Sequence, residues 1–301
     1  MIAAILAAVS IVFPPEGAKL PHLERCYVMG AADAGESSLR VSGFKGFRVS
    51  EVPVSRSGAW ATVVDVVPGT NVVEVGGVKR AFVVDAGETS KTSGTSRTYK
   101  KLEYAGDVAK PHPTGRKPEE ITVVVDAGHG GHDMGALSPH GLPEKDANLR
   151  LAKHVRDELA GRGYKVVMTR EDDVFVELYD RPKVAHKANA DLFVSIHHNA
   201  PGYASDPFAI RSQSVYAWNG IGEKLAKAIN GRMAAADPAL KNDGVLHANF
   251  AVTRNPEIPS VLIEADYVTH PDGEVAAWDA SRRPRIAAAI ADGIADWVAE
   301  K

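Results

Sequence analysis

Three apolar runs in the chain end on side chains that can bind a cation or move a proton. VVVDAGHGG delivers His129, LFVSIHHNA delivers His197 and His198, and VLIEADY delivers Glu264 and then Asp266. A fourth group, Glu144, sits in GLPEKDANL at the start of a helical pattern. Two imidazoles and one carboxylate around an open fourth position are the ligand set of a catalytic zinc centre. A cation held this way stays net positive and lowers the pKa of water towards about 7. A second carboxylate, left off the metal, then suits general-base work, taking a water proton and passing it to a leaving amine.

Each signal also has a plainer reading. Glu144 at a helix start is favourable to the helix dipole without any metal. His197 and His198 are neighbours on a strand pattern and point to opposite faces, so one of them at most faces a site. DAGHGG at a strand end suggests a phosphate cradle, but it lacks the Lys-Ser/Thr of a P-loop and does not fit G-x-G-x-x-G. Glu264, after an apolar run, is harder to set aside, because a carboxylate on a buried strand needs a partner.

The elements that must position these residues alternate. ITVVVDAG reads as a buried parallel strand. LRLAKHVRDELAGRG places Leu149, Leu151, Ala152, Val155 and Leu159 on one helical face and stops at Gly161 or Gly163. YKVVMTR, DLFVSIHH, QSVYAW and SVLIEADY read as strands. VELYDRPKVAHKANA, GEKLAKAINGRMAAA and RPRIAAAIADGIADWVA read as helices, with Pro182 expected in a first helical turn. Strand–helix alternation implies a mostly parallel sheet with helices on its faces. Ligands in such sheets sit beyond the carboxyl ends of the strands, so His129, His197 and Glu264 are expected on one rim.

Upstream the pattern is different. Residues 26–86 contain LRVSGFKGFRVS, AWATVVDVV, NVVEVGG and VKRAFVVD, separated by Gly, Pro and Asn turns, and read as a small all-β, immunoglobulin-like sandwich of few strands. Phe44, Phe47 and Trp60 are its candidate aromatic platform for sugar, or else its core. Residues 87–120 are polar, Ser/Thr-rich and Pro-interrupted, a linker in which His112 reads as solvated. Residues 1–25 open with MIAAILAAVSIVF, too short to span a bilayer, which takes about 20 residues. That run has the length of a signal-peptide core but no basic flank, so it reads as an atypical leader or as a first buried strand.

Composition removes several classes. Among 301 residues, 35 Lys and Arg against 38 Asp and Glu give a net charge of −3, with no cationic excess for nucleic acid. The single cysteine, Cys26, excludes an intrachain disulfide framework and a cysteine-rich zinc site, while 11 histidines remain available.

VVVDAGHGGHDMGALSPHGLPEKDANLRLA, VVMTREDDVFVELYDR, ANADLFVSIHHNA and PSVLIEADYVTHPDGE, in this order, closely resemble the zinc-dependent N-acetylmuramoyl-L-alanine amidases of bacterial cell division, phage and sporulation lysins. The resemblance covers about Ile121 to Ala299, within a catalytic domain of residues 121–301, and implies an α/β, phosphorylase/hydrolase-like fold with a mostly parallel six-stranded sheet. It implies His129, Glu144 and His197 as ligands of Zn2+ and Glu264 as the catalytic glutamate. The implied reaction is cleavage of the amide between the lactyl group of N-acetylmuramic acid and L-alanine of the peptidoglycan stem. Departures from the family pattern are His198 in place of a small residue, Asp266-Tyr267 after the catalytic stretch, and His270-Pro271 for Asn-Pro. Pro201 to Ser212 is too short for the autoinhibitory helix of some division amidases, which implies an open site. The whole reading is an exported, monomeric peptidoglycan hydrolase of the cell envelope with no nucleic-acid partner and no membrane span. A zinc peptidase acting within the stem, and an inactive wall-binding protein, are the rivals.

Overall fold

The computed structural model describes residues 9–33, 35–43, 50–87, 112–218, 220–255 and 257–300. Phe44, Phe47 and most of the linker stretch lie outside them. The described residues form two units, each with its own core.

The first unit contains eight strands: β1 (Ser10–Phe13), β2 (Lys19–Leu20), β3 (Arg25–Ala31), β4 (Ser38–Gly43), β5 (Ser50–Pro53), β6 (Ala59–Asp65), β7 (Gly69–Val75) and β8 (Val78–Val84). They make a three-stranded sheet in the order β1-β3-β6 and a five-stranded sheet in the order β2-β8-β7-β4-β5. Alternate residues of both sheets, among them Ile11, Val28, Trp60 and Val64 on one and Val41, Val73, Phe82 and Val84 on the other, meet in one apolar core. The strands are more numerous than the sequence pattern suggested, because β1 and β2 come from the stretch read as a leader. Ser10–Phe13 pairs antiparallel with β3 and buries Ile11. Its apolar character is that of a buried strand from Ser10 onward. Trp60 is fully buried, so it is core and not a sugar platform.

The second unit is the expected layered α/β structure. Its strands are β9 (Thr122–Ala127), β10 (Lys165–Met168), β11 (Leu192–Asn199), β12 (Gln213–Ala217), β13 (Asn242–His247) and β14 (Ser260–Tyr267). Its helices are α1 (Glu144–Gly161), α2 (Arg181–Lys187), α3 (Gly220–Ala236), α4 (Pro271–Trp278) and α5 (Arg282–Ala299). The sheet order is β10-β9-β11-β14-β12-β13, parallel throughout except where β12 runs antiparallel to β14.

Alternation along the strands sorts the core. Val123, Val125, Val194, Ile196, Val261 and Ile263 face α1, α3 and α5, while Val124, Phe193 and Leu262 pack on the other face with Ala185 of α2. Burial on both faces is what makes these strands read as unbroken apolar runs. Pro182 stands in the first turn of α2, as its fixed φ and missing N–H favour. The helix begins where that proline predicts and ends at Lys187, three residues before the pattern's end at Ala190.

The two units touch beside the strand ends. Tyr27 of β3 donates its backbone N–H to the carbonyl of Tyr203 at 2.7 Å. Phe13 stacks on Tyr27 with centroids 4.4 Å apart and on Tyr203 at 5.7 Å.

Candidate metal centre

Asp126 is the last polar residue of β9, and it is fully buried. It accepts from Thr169 Oγ1 at 2.6 Å, Ser195 Oγ at 2.6 Å and Arg181 Nη1 at 2.8 Å, so its charge is paired and its oxygens are satisfied. From that anchor the chain leaves the sheet through Gly128 and His129. His129 holds φ +60, a left-handed conformation uncommon for a residue with a Cβ. Two buried arginines grip the turn by its carbonyls. Arg181 donates to the carbonyl oxygens of Ala127 and His129, and Arg170 to those of Ala127 and Gly128. Lys145 and Asp173 hold the far side, bonding the carbonyl and the N–H of Gly131. A strained backbone of this kind persists only where its surroundings over-determine it.

Three ligand-capable atoms, one each from His129, Glu144 and His197, lie within 4.8 Å of one another. His129 Nε2 is 3.2 Å from Glu144 Oε2, and His197 Nδ1 is 3.1 Å from Glu144 Oε1. Glu144 opens α1 and is buried, with Ala136 N–H, Asn148 Nδ2–H and His198 N–H donating to its carboxylate. Burial alone would raise its pKa, but the hydrogen bonds from His129 and His197 hold it well below the ordinary carboxylate value. Burial likewise pulls His129 down, and Glu144 and Asp133 outweigh it, pushing the ring up to about 9. A cation would compete with protons for the same atoms.

The surroundings fit a small cation. Asp133 Oδ2 accepts from His129 Nδ1 at 2.8 Å, which leaves Nε2 as the free lone pair of the neutral ring. A Cβ on Gly128 would collide with the His197 ring, and one on Gly135 would stand 2.6 Å from Glu144 Oε2, so glycine at both positions keeps the cluster closed up.

Glu264 lies opposite His197 in the parallel register of β11 and β14. It is within the strand rather than at its end, because β14 continues to Tyr267. One carboxylate oxygen, Oε2, is buried without a hydrogen-bond partner. Burial, and then the negative charge of Glu144, raise its pKa well above the usual value. A cation held by Glu144 and its two imidazoles would offset the negative charge that Glu264 faces.

His198 points away. It is buried against α1, with Nδ1 2.9 Å from Asn148 Oδ1. Burial and the charge of Arg282 draw its pKa down to about 3, so the ring is neutral and structural. Asp266 accepts from Arg211 Nε and Nη2 at 3.0 and 2.9 Å, and His270 caps α4 by accepting from Asp272 N–H. The departures from the family pattern are therefore built into supporting structure. The sequence reading missed Asp133, Asn148, Arg170 and Arg181. For Asp133 a signal was present, the i,i+4 spacing from His129 within HGGHD.

Residues 123–296 match the family described as N-acetylmuramoyl-L-alanine amidase. The chain belongs to that family. It is 32% identical over 263 residues to the N-acetylmuramoyl-L-alanine amidase AmiA of Escherichia coli, covering 71% of this chain and 90% of that one. It is 30% identical to AmiC of Neisseria meningitidis, covering 74% of this chain and 67% of that protein. Among solved structures, amidase AmiC2 of Nostoc punctiforme matches at 34% identity with a TM-score of 0.57, over 60% of this chain and 98% of its own. The fold and the amidase assignment expected from the sequence are both borne out. Among the described residues no helix is long and apolar enough to cross a membrane.

Proposed function

We propose that this amidase holds Zn2+ on His129, Glu144 and His197 and hydrolyses the lactyl–L-alanine amide of peptidoglycan with Glu264 as general base. The observation that carries it is the closed His129–Glu144–His197 cluster with the orphaned carboxylate oxygen of Glu264 beside it. Zn2+ in such a set supplies Lewis-acid chemistry, polarising an amide carbonyl and lowering the pKa of water towards about 7. Asp133 and Asn148 orient the donor atoms, the first through the His129 ring and the second through the Glu144 carboxylate. Arg170 and Arg181 hold the turn that carries His129. Glu264 takes a proton from the attacking water and delivers it to the departing L-alanine nitrogen.

Two clefts flank the cluster, of about 480 and 430 Å³, the first bordered by Glu144 and the second by His197 and Glu264, with His129 in both. Residues 200–212 form no helix over them, which supports an open site. All four site residues come from one chain, so a monomer is sufficient. Because the substrate is the wall, the reading places the protein outside the cytoplasmic membrane.

Mass spectrometry of digested peptidoglycan tests the bond. Free stem peptides beginning with L-alanine, beside intact glycan, are expected; shortened stems still attached to glycan would point to a peptidase instead. Glu264→Gln should lower turnover by about 10²–10⁴-fold with metal content unchanged, as loss of a general base does. Near-normal activity in that variant would refute the role, and His129→Ala should lose the metal itself.

A further inference from the structure

The cleft of about 480 Å³ is shared between the two units. Phe13, Pro15 and Tyr27 come from the β unit, Met134, Leu137, Pro201 and Tyr203 from the α/β unit, and His129 and Glu144 close its inner end. Apart from those two candidate ligands, its lining among the described residues holds no charged side chain. Tyr27, Phe13 and Tyr203 form one stack, with interplanar angles of 28° and 11°, and Tyr203 at its outer end is 40% exposed. Tyr27 is buried and bonded through its backbone to Tyr203, so the stack is a fixed wall. The cleft on the other side differs in chemistry, carrying Asp133, Glu177 and Arg181 among apolar residues.

On the amidase reading above, the scissile amide lies at the metal cluster with a neutral sugar chain on one side and a charged peptide on the other. A flat aromatic surface without charges suits the apolar face of a pyranose ring and offers no partner to the free carboxylates of a stem peptide. We propose that the β unit completes the active site, and that the Phe13–Tyr27–Tyr203 wall is the subsite for the glycan, an N-acetylhexosamine chain. The stem peptide then runs into the cleft of Phe175, Glu177 and Phe250. The β unit is thus part of the substrate-binding surface and not a spacer.

The test uses the full chain and a probe with no scissile amide, the tetramer of N-acetylglucosamine, titrated by calorimetry or NMR. Binding is read whether or not the protein cleaves anything, so its failure is separate from failure of the amidase reading. Tyr203→Ala should weaken binding about tenfold, and Tyr203→Phe, which keeps the ring, should stay within about twofold of the parent. Tyr203 is exposed, so the fold survives either change; Phe13→Leu gives a second reading from the β side and should weaken binding too. No binding by the parent chain at millimolar probe, or equal binding by Tyr203→Ala, would overturn the subsite. Displacement of the tetramer by a free stem tripeptide would show the groove to be the peptide's and would overturn it as well.

Discussion

The two units of this protein bury very different things. Among described residues of the β unit, the one polar side chain in the buried set is Asn71, which closes a turn by bonding Val67 and Gly69. The α/β unit buries Asp126, Glu144, Arg170, Arg181, Glu274 and Arg282. Taking paired charges out of water is costly and seldom stabilises a fold relative to apolar packing. Here most of those charges gather around the turn that carries His129 and the helix that begins with Glu144. The sandwich core holds strands together; the polar interior of the α/β unit holds atoms in place.

That contrast can be broken by paired substitutions. Asp126→Ala strands the Arg181 guanidinium and should cost about 3–5 kcal/mol, with metal content falling as the His129 turn loosens. Trp60→Ala empties the largest side chain from the sandwich and should cost a similar 3–5 kcal/mol in denaturant melts, yet leave metal content intact. Metal loss in Trp60→Ala would mean that the two interiors are not separate.

Asp133→Ala sharpens the point within the site. It keeps all three candidate ligands and removes the acceptor of the His129 ring together with that of the Gly135 N–H. Metal affinity should drop about 10–100-fold in a chelator competition, with little change in melting temperature. Unchanged affinity would reduce Asp133 to a surface residue.

The smallest effect belongs to Cys26. Burial pushes its thiol up to about 12 from an ordinary 9.0. A raised folded value means the native state holds this proton more tightly. The linked stability is therefore complete below about pH 9 and declines as pH climbs from there towards 12. Alkylation of the native protein at pH 8 should be slow and should accelerate on unfolding; rapid labelling of the folded chain would show that the sandwich opens.

The strongly patterned elements were legible in the sequence. β9, β11 and β14 are apolar because helices cover both faces, and α1, α3 and α5 carry one apolar stripe each. β13 and α4 were missed. The first is an edge strand with no buried residue, and the second is eight residues with little one-sided pattern. β1 was open to confusion with a leader because an apolar strand and a secretion signal satisfy the same rule. The site was half legible. His129 and His197 were candidates because parallel strands deliver their ends to one rim, Glu264 lies within its strand instead, and Glu144 came from the family motif.

The sequence by itself determined the candidate ligand types, their order along the chain and the family, since these depend on local pattern and motif. Tertiary structure alone decided that His198 turns to Asn148, which carboxylate orients His129, and which arginines grip the turn. It also decided that Phe13 and Tyr27 stand beside His129. Those relations join residues far apart in the chain, and no local periodicity records a contact that exists only once the sheet has closed.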